Sequence, residues 1–183
     1  VLSDGSETMS FWKSIADDWR EASDRIDAEY EQAKRLKAGV VLRDARALYD
    51  HYGVYVGNHQ VIHFTNGEVQ LTSIKAFKES WLGSVEVMGF SDEAIADTSL
   101  SQSVRRAYSK LGMKRYDLLA NNCEHFALWC RTGKRFSSQA FGSGGATGAT
   151  LSASPARWVS DYFAREFGMA VSRTICVDDI IDD

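Results

Sequence analysis

Asn121-Asn122-Cys123-Glu124-His125-Phe126 is the stretch that decides how this chain reads. The two asparagines precede a run, Ala127-Leu128-Trp129-Cys130-Arg131, that suits a helix closed by Gly133. A short amide side chain caps a helix start well, because its oxygen accepts from the free N–H groups of the first turn. Cys123 is therefore expected in that first turn, where the positive end of the dipole favours a thiolate. The same free N–H groups can hold a developing oxyanion, with Asn122 and Cys123 as the candidate residues.

A thiol at its ordinary pKa of about 8.5 is mostly protonated at neutral pH, so a nucleophilic cysteine needs a base. The chain offers two upstream candidates in Asp50-His51-Tyr52-Gly53-Val54-Tyr55-Val56-Gly57 and Val61-Ile62-His63-Phe64. Both stretches are rich in β-branched and aromatic residues, and Gly57-Asn58-His59 between them is a turn signal, so they read as a hairpin. The interval 63 − 51 = 12 is compatible with both rings lying on one face. One ring can then serve as base while the other orients it, and spacing does not say which. His125 lies two residues after the cysteine on the same helix, an offset that points away from it, so it reads as a brace. His59 reads as a solvated turn residue.

Taken singly, a cysteine is usually a small packed residue and a strand histidine a satisfied polar group. Zinc held by His51, His63 and Cys123 lacks a fourth ligand and the usual spacing, so neither metal nor cofactor is expected. Cys130 and Cys176 read as ordinary thiols. Three cysteines without paired spacing make no disulfide framework, which points to a reducing, cytoplasmic compartment.

Outward from these blocks, Trp12, Ile15, Trp19, Ala22, Ile26, Tyr30 and Ala33 fall at three- and four-residue steps. They predict a helix over 9–36 that packs on the core as a scaffold, with a partner-docking face as its other use. Strands are expected over 40–43, 52–56, 60–64, 68–71 and 84–88, forming a small antiparallel sheet, followed by a helix over 99–111. Residues 141–154 alternate Gly with Ala, Ser and Thr and read as a linker. Pro155 then opens a helix with Trp158, Tyr162, Phe163 and Phe167 on one side, expected to pack on the core rather than lie in a lipid interface. The acidic tail 178–183 is expected to be solvated and frayed.

At 183 residues the chain suits one domain with appended segments. A net charge of −4 with no basic stripe argues against sequence-independent nucleic-acid binding. No apolar run reaches the roughly 18–20 residues that span a bilayer, and the start shows no secretory pattern. The first residue, Val1, suggests a processed or excised piece.

As a set, His51-Tyr52-Gly53-Val54-Tyr55-Val56-Gly57, Val61-Ile62-His63 and Asn122-Cys123-Glu124-His125-Phe126 resemble the lecithin:retinol acyltransferase-like (LRAT-like) family. Arg106-Ala107-Tyr108, Leu111-Gly112, Tyr116-Asp117-Leu118-Leu119 and Arg131-Thr132-Gly133 are also similar to that family's helices. The resemblance implies an α+β, circularly permuted papain-like fold: a small antiparallel sheet packed against helices, histidines preceding the cysteine. It places a catalytic domain at 38–137, between an N-terminal helical extension (1–37) and a Gly-rich linker with C-terminal helix (138–183). It implies Cys123 as nucleophile, His51 as general base and His63 as the orienting third member. It further implies ping-pong transfer of an acyl chain from a glycerophospholipid, through a Cys123 thioester, to an acceptor or water. Peripheral contact with membrane surfaces would follow from such a substrate. Two alternatives use the same residues differently: a thiol amidase or peptidase, and a non-catalytic docking module.

Overall fold

The computed structural model of the chain describes residues 5–46, 49–79, 83–114, 123–134 and 164–183. It separates into two compact units, 1–35 and 36–183. The first is a single helix, α1 (Gly5–Lys34), carrying the ion pairs Asp17–Arg20 and Glu31–Lys34 one turn apart. Such i,i+3 pairs support an exposed helix by a few tenths of a kcal/mol each. The apolar stripe read from its sequence is present on this helix, with Trp12, Trp19, Ile26 and Tyr30 exposed within their own unit.

Strand β1 is two residues, Arg35–Leu36. The second unit is built on a six-stranded antiparallel sheet formed by β2 (Val41–Ala45), β3 (Asp50–Gly57), β4 (Gln60–Thr65), β5 (Glu68–Ser73), β6 (Ser84–Gly89) and β7 (Ala170–Cys176). Its order among the described residues is β5-β4-β3-β2-β6-β7. The β3–β4 and β4–β5 turns hold Asn58 and His59 (φ 53° and 56°) and Asn66 and Gly67 (φ 51° and 79°) at their centres. Two successive positive φ values match the right-handed twist of a tight hairpin, and Asn and Gly tolerate them best.

Alternation along the strands splits the core into two layers. Val41, Tyr52, Val54, Ile62, Phe64 and Val69 face one side, where Phe126, Ala127, Leu128 and Trp129 of α5 (Cys123–Thr132) cover them. Leu42, Tyr55, Val61, Val85 and Val87 face the other, under Ile74 and Phe77 of the short helix α2 (Ile74–Phe77). α5 is buried along its whole length. It is sandwiched between the sheet and the pair α3 (Asp92–Ile95) and α4 (Leu100–Tyr108). A capping box of Ser99 and Gln102 starts α4. Arg106 of α4 donates to the carbonyl of Cys130 at 3.0 Å, and Thr98 Oγ1 to that of Arg131 at 2.9 Å, satisfying the last turn of α5. Gly133 ends α5 with φ 72°, its N–H on the Trp129 carbonyl at 2.8 Å.

The C-terminal region departs from expectation twice. Ala170–Cys176, read as no element, is a sheet strand, β7, paired with β6 from Ser84↔Cys176 to Gly89↔Ala170. The tail is docked rather than frayed. Val177 N–H bonds the Gly83 carbonyl at 2.9 Å, and a 3₁₀ turn (Val177–Asp179) buries Val177 and Ile180 before β8 (Ile181–Asp182). Of the expected C-terminal aromatic face, Phe167 is buried in the α5 layer, while Trp158, Tyr162 and Phe163 lie outside the described residues, as does the Gly-rich linker. No helix of the described residues is long and apolar enough to cross a membrane.

Candidate active site

His51 and His63 are placed by strand pairing. Gly53 is the partner of His63 across β3–β4, and His51 lies two residues before Gly53 on the same face. This makes the histidines diagonal neighbours, close enough for their rings to meet. They do meet: His51 Nε2 lies 2.7 Å from His63 Nδ1, with the rings nearly perpendicular. Each ring is 4% exposed, and Phe77 packs against both, its ring centroid 5.2 Å from each. Gly53 is required for that packing. A Cβ there would stand 2.5 Å from Val61 Cγ1, 2.9 Å from Phe77 Cε2 and 3.1 Å from His63 Cβ.

On its far side, His63 Nε2 lies 3.0 Å from Thr72 Oγ1. Thr72 pairs with Val61 in the β4–β5 ladder and so shares the face of His63. Three adjacent strands thus contribute one polar side chain each to a single row.

Cys123 enters the site as the first residue of α5 and is buried. Its sulfur meets the β3 backbone on both sides of His51. The Sγ–H points at the Asp50 carbonyl at 3.8 Å, and the Tyr52 N–H bonds the sulfur. The cysteine is therefore delivered to the strand position that carries His51. Asn122, the other residue expected to support an oxyanion, lies outside the described residues. His125 is buried in α5. His59 is not simply solvated: its Nδ1 pairs with Asp182 at 3.2 Å and its Nε2 contacts the Ile180 carbonyl at 3.1 Å. Its backbone N–H donates to Tyr55 Oη, which itself bonds Asp182.

Burial sets the electrostatics. It pushes the Cys123 thiol up to about 11; the N–H groups of Tyr52 and Glu124 oppose that rise and the Glu124 carboxylate adds to it. The lowered thiol expected from the helix start is not what the closed site has, because loss of water outweighs the dipole. Burial also pushes His51 down to about 3 and His63 down to about 4, with the Arg46 cation adding to both. At neutral pH the site holds a neutral thiol and two neutral imidazoles. Such a set holds no thiolate–imidazolium pair at rest.

Arg46 is one of the residues sequence reading missed. Its Nε bonds the fully buried Asp44 at 2.9 Å, and its two terminal nitrogens reach Tyr49 Oη, Glu79 and the Phe77 carbonyl at 2.8, 2.8 and 2.9 Å. Asp44 also accepts from the Glu79 N–H at 2.9 Å and is the β2 partner of His51. This clamp fixes the two aromatics around the histidines, Phe77 against both and Tyr49 edge-on to His51. Arg43-Asp44-Ala45-Arg46 carries no pattern in the sequence that would have singled it out. Among the described residues no group of three or more His, Cys, Asp or Glu is placed to hold a metal ion.

Fold and site together define a class: an antiparallel sheet whose hairpin carries a bonded histidine pair, with a helix-borne cysteine brought to the same strand. The family model described as Lecithin retinol acyltransferase matches residues 34–136, and the chain belongs to that family. It is 31% identical over 131 residues to lecithin retinol acyltransferase of Mus musculus, covering 56% of this chain and 57% of that protein. The Bos taurus protein of the same name is 31% identical over 140 residues (61% of this chain, 60% of the relative). The Homo sapiens one is 30% identical over 139 (60% of each). The chain thus spans about three-fifths of the curated relatives it matches.

Proposed function

We propose that this protein is a thiol-dependent lipid acyltransferase in which Cys123 is the nucleophile, His51 the base and His63 the residue that orients it. The observation that carries the reading is the His51–His63 bond on the strand whose backbone holds the Cys123 sulfur. Family membership and relatives named for acyl transfer from lecithin to retinol support a lipid ester as donor.

The chemistry follows from which atoms are committed. His51 Nε2 is engaged by His63, so Nδ1 is the base atom. As the sulfur attacks the ester carbonyl, the S–H proton passes to Nδ1 and the carbonyl oxygen takes up negative charge at the start of α5, where the free N–H groups of a first helical turn can hold it. Collapse breaks the ester C–O bond, and the imidazolium proton goes to the departing oxygen, giving a lysophospholipid and a Cys123 thioester. An alcohol, amine or water then attacks the thioester. His51 takes its proton and returns it to the sulfur. The order of parts, histidine hairpin before cysteine helix, is that of a papain-like core with permuted chain order. A phospholipid donor puts the reaction at a membrane surface, and a working thiol suits a reducing compartment.

The test is intact-protein mass after incubation with phosphatidylcholine vesicles, with Cys123→Ala as control. A fatty-acyl increment on the wild type alone is expected. His51→Ala should slow its appearance by about 10²–10⁴, the usual contribution of a general base, and His63→Ala by less. Release of fatty acid without an increment indicates fast deacylation and a phospholipase. Neither signal sinks the lipid reading in favour of an amide substrate. Activity surviving in His51→Ala but lost in His63→Ala reverses the two roles.

A further inference from the structure

The row on the sheet does not stop at His63. We propose that Thr72 is a positioning residue that completes a relay Cys123–His51–His63–Thr72, its Oγ1 accepting from His63 Nε2–H and so stabilising the tautomer that leaves His51 able to act as base. The inference rests on the reading of His51 as base given above.

A neutral imidazole has one N–H and one lone pair, so a single proton sits between His51 Nε2 and His63 Nδ1, 2.7 Å apart. If His51 supplies it, His51 Nδ1 carries a lone pair and can accept the thiol proton. His63 then accepts at Nδ1 and must carry its own proton on Nε2, which faces Thr72 Oγ1 at 3.0 Å. If His63 supplies it instead, the His51 proton moves to Nδ1 and the base is blocked. His63 Nε2 is then an acceptor, which the Thr72 O–H can serve but which tolerates loss of the hydroxyl better than an N–H does.

Thr72 Oγ1 is the oxygen that gives His63 Nε2–H somewhere to go, in a place where the ring is 4% exposed. A buried N–H without an acceptor is costlier than a bare ring nitrogen, so removing the hydroxyl shifts the pair away from that tautomer. The relay also matters when His51 becomes an imidazolium. Its Nε2–H then leans harder on His63, and His63 passes part of that polarisation to the Thr72 oxygen. Position in the fold suits the role. β5 ends the strand order among the described residues, and the Val61↔Thr72 pairing fixes Oγ1 on the histidine face. Phe77 closes the space over both rings.

The experiment compares Thr72→Val, which keeps the shape and removes the hydroxyl, with Thr72→Ser, which keeps the hydroxyl. Two readouts are taken on the full chain. The first needs no substrate: ¹⁵N shifts and long-range ¹⁵N–¹H correlations of the ring nitrogens at pH 7. His63 is expected as the Nε2–H tautomer in wild type and Thr72→Ser, and as a mixture in Thr72→Val. The second is the rate of acyl-adduct formation on phosphatidylcholine vesicles. Thr72→Val is expected to lower kcat by about tenfold with KM unchanged, the scale of an outer partner that holds a functional histidine. Thr72→Ser should restore most of it. An Nδ1–H tautomer of His63 in wild type overturns the proposal, as does Thr72→Val with wild-type tautomer and rate. Loss in Thr72→Ser equal to that in Thr72→Val makes the role one of packing and also overturns it. If the wild type forms no adduct and releases no fatty acid, the lipid reading fails instead, and the tautomer readout still decides the relay.

Discussion

The β3–β5 surface and helix α1 treat polarity in opposite ways. On the sheet, two imidazoles are buried at 4% exposure each; on α1, Trp12 and Trp19 stand 65% and 74% exposed. Burying an imidazole is costly unless its nitrogens are bonded, and here the described bonds run from ring to ring and on to a hydroxyl. Each member of that row depends on the next, so the arrangement is specific and easily damaged. An exposed indole forgoes the transfer energy of roughly 25 cal/mol per Å² that burial would give, but within α1 it holds no buried polar group in place. Removing a buried polar group and removing an exposed apolar one should therefore differ greatly in effect.

Gly53 is where the buried row is most vulnerable. Gly53→Ala forces a Cβ into Val61, Phe77 and His63 at once. Overpacking of this kind costs about 1–3 kcal/mol. We expect a drop in the unfolding midpoint of that size, together with loss of acyl-adduct formation beyond what the stability loss explains, because His63 and Phe77 must both give way. Urea titration alongside the mass assay reads both. Wild-type activity in a stable Gly53→Ala would mean the histidine pair tolerates displacement.

Acid should loosen the same region next. His51, His63 and His125 are pushed by burial down to about 3, about 4 and about 4. In the unfolded chain histidines take up protons near pH 6.5, whereas these do not until the pH approaches 4. Between those values the unfolded state binds more protons, so stability falls as pH falls. The slope can reach about 1.4 kcal/mol per pH unit for each such group. Urea midpoints at pH 7, 6 and 5 should decline steadily, and a flat profile would remove the buried-neutral description of all three rings. The rate should correspondingly hold below pH 6.5, since the base stays neutral there.

The smallest effect belongs to α1. Replacing Trp12 and Trp19 together by Gln should change the stability of α1 itself, read as its helical content, by less than about 0.5 kcal/mol, as for other exposed positions. A drop comparable to that of Gly53→Ala would show the stripe to be covered in the folded protein, and the contrast between the two regions would fall.

Much of the sheet was legible because its strands obey alternation. Tyr52, Val54, Ile62 and Phe64 on one face and Tyr55 and Val61 on the other are patterns a short window shows. The twelve-residue interval between His51 and His63 likewise survives folding, since a tight hairpin fixes its own register. β7 was not legible. Along Ala170–Cys176 only Ile175 is buried, so the strand exists through its pairing with β6 and carries no alternation of its own. The tail was misread for a related reason. Its acidic composition suggests solvation, while the groups that hold it, Tyr55, His59 and Lys75, lie more than a hundred residues earlier.

Sequence alone thus singled out His51, His63 and Cys123 as candidates, and determined the hairpin that carries the first two and the helix that carries the third. Those rest on local rules: side-chain period, turn chemistry and capping. Tertiary structure decided that the thiol is raised rather than lowered, because desolvation depends on everything packed around α5. It also decided that Arg46, Phe77 and Thr72 belong with the histidines, because their partners arrive from separate strands and turns. Hydrogen bonds and burial are properties of neighbours in space, and the sequence orders neighbours only along the chain.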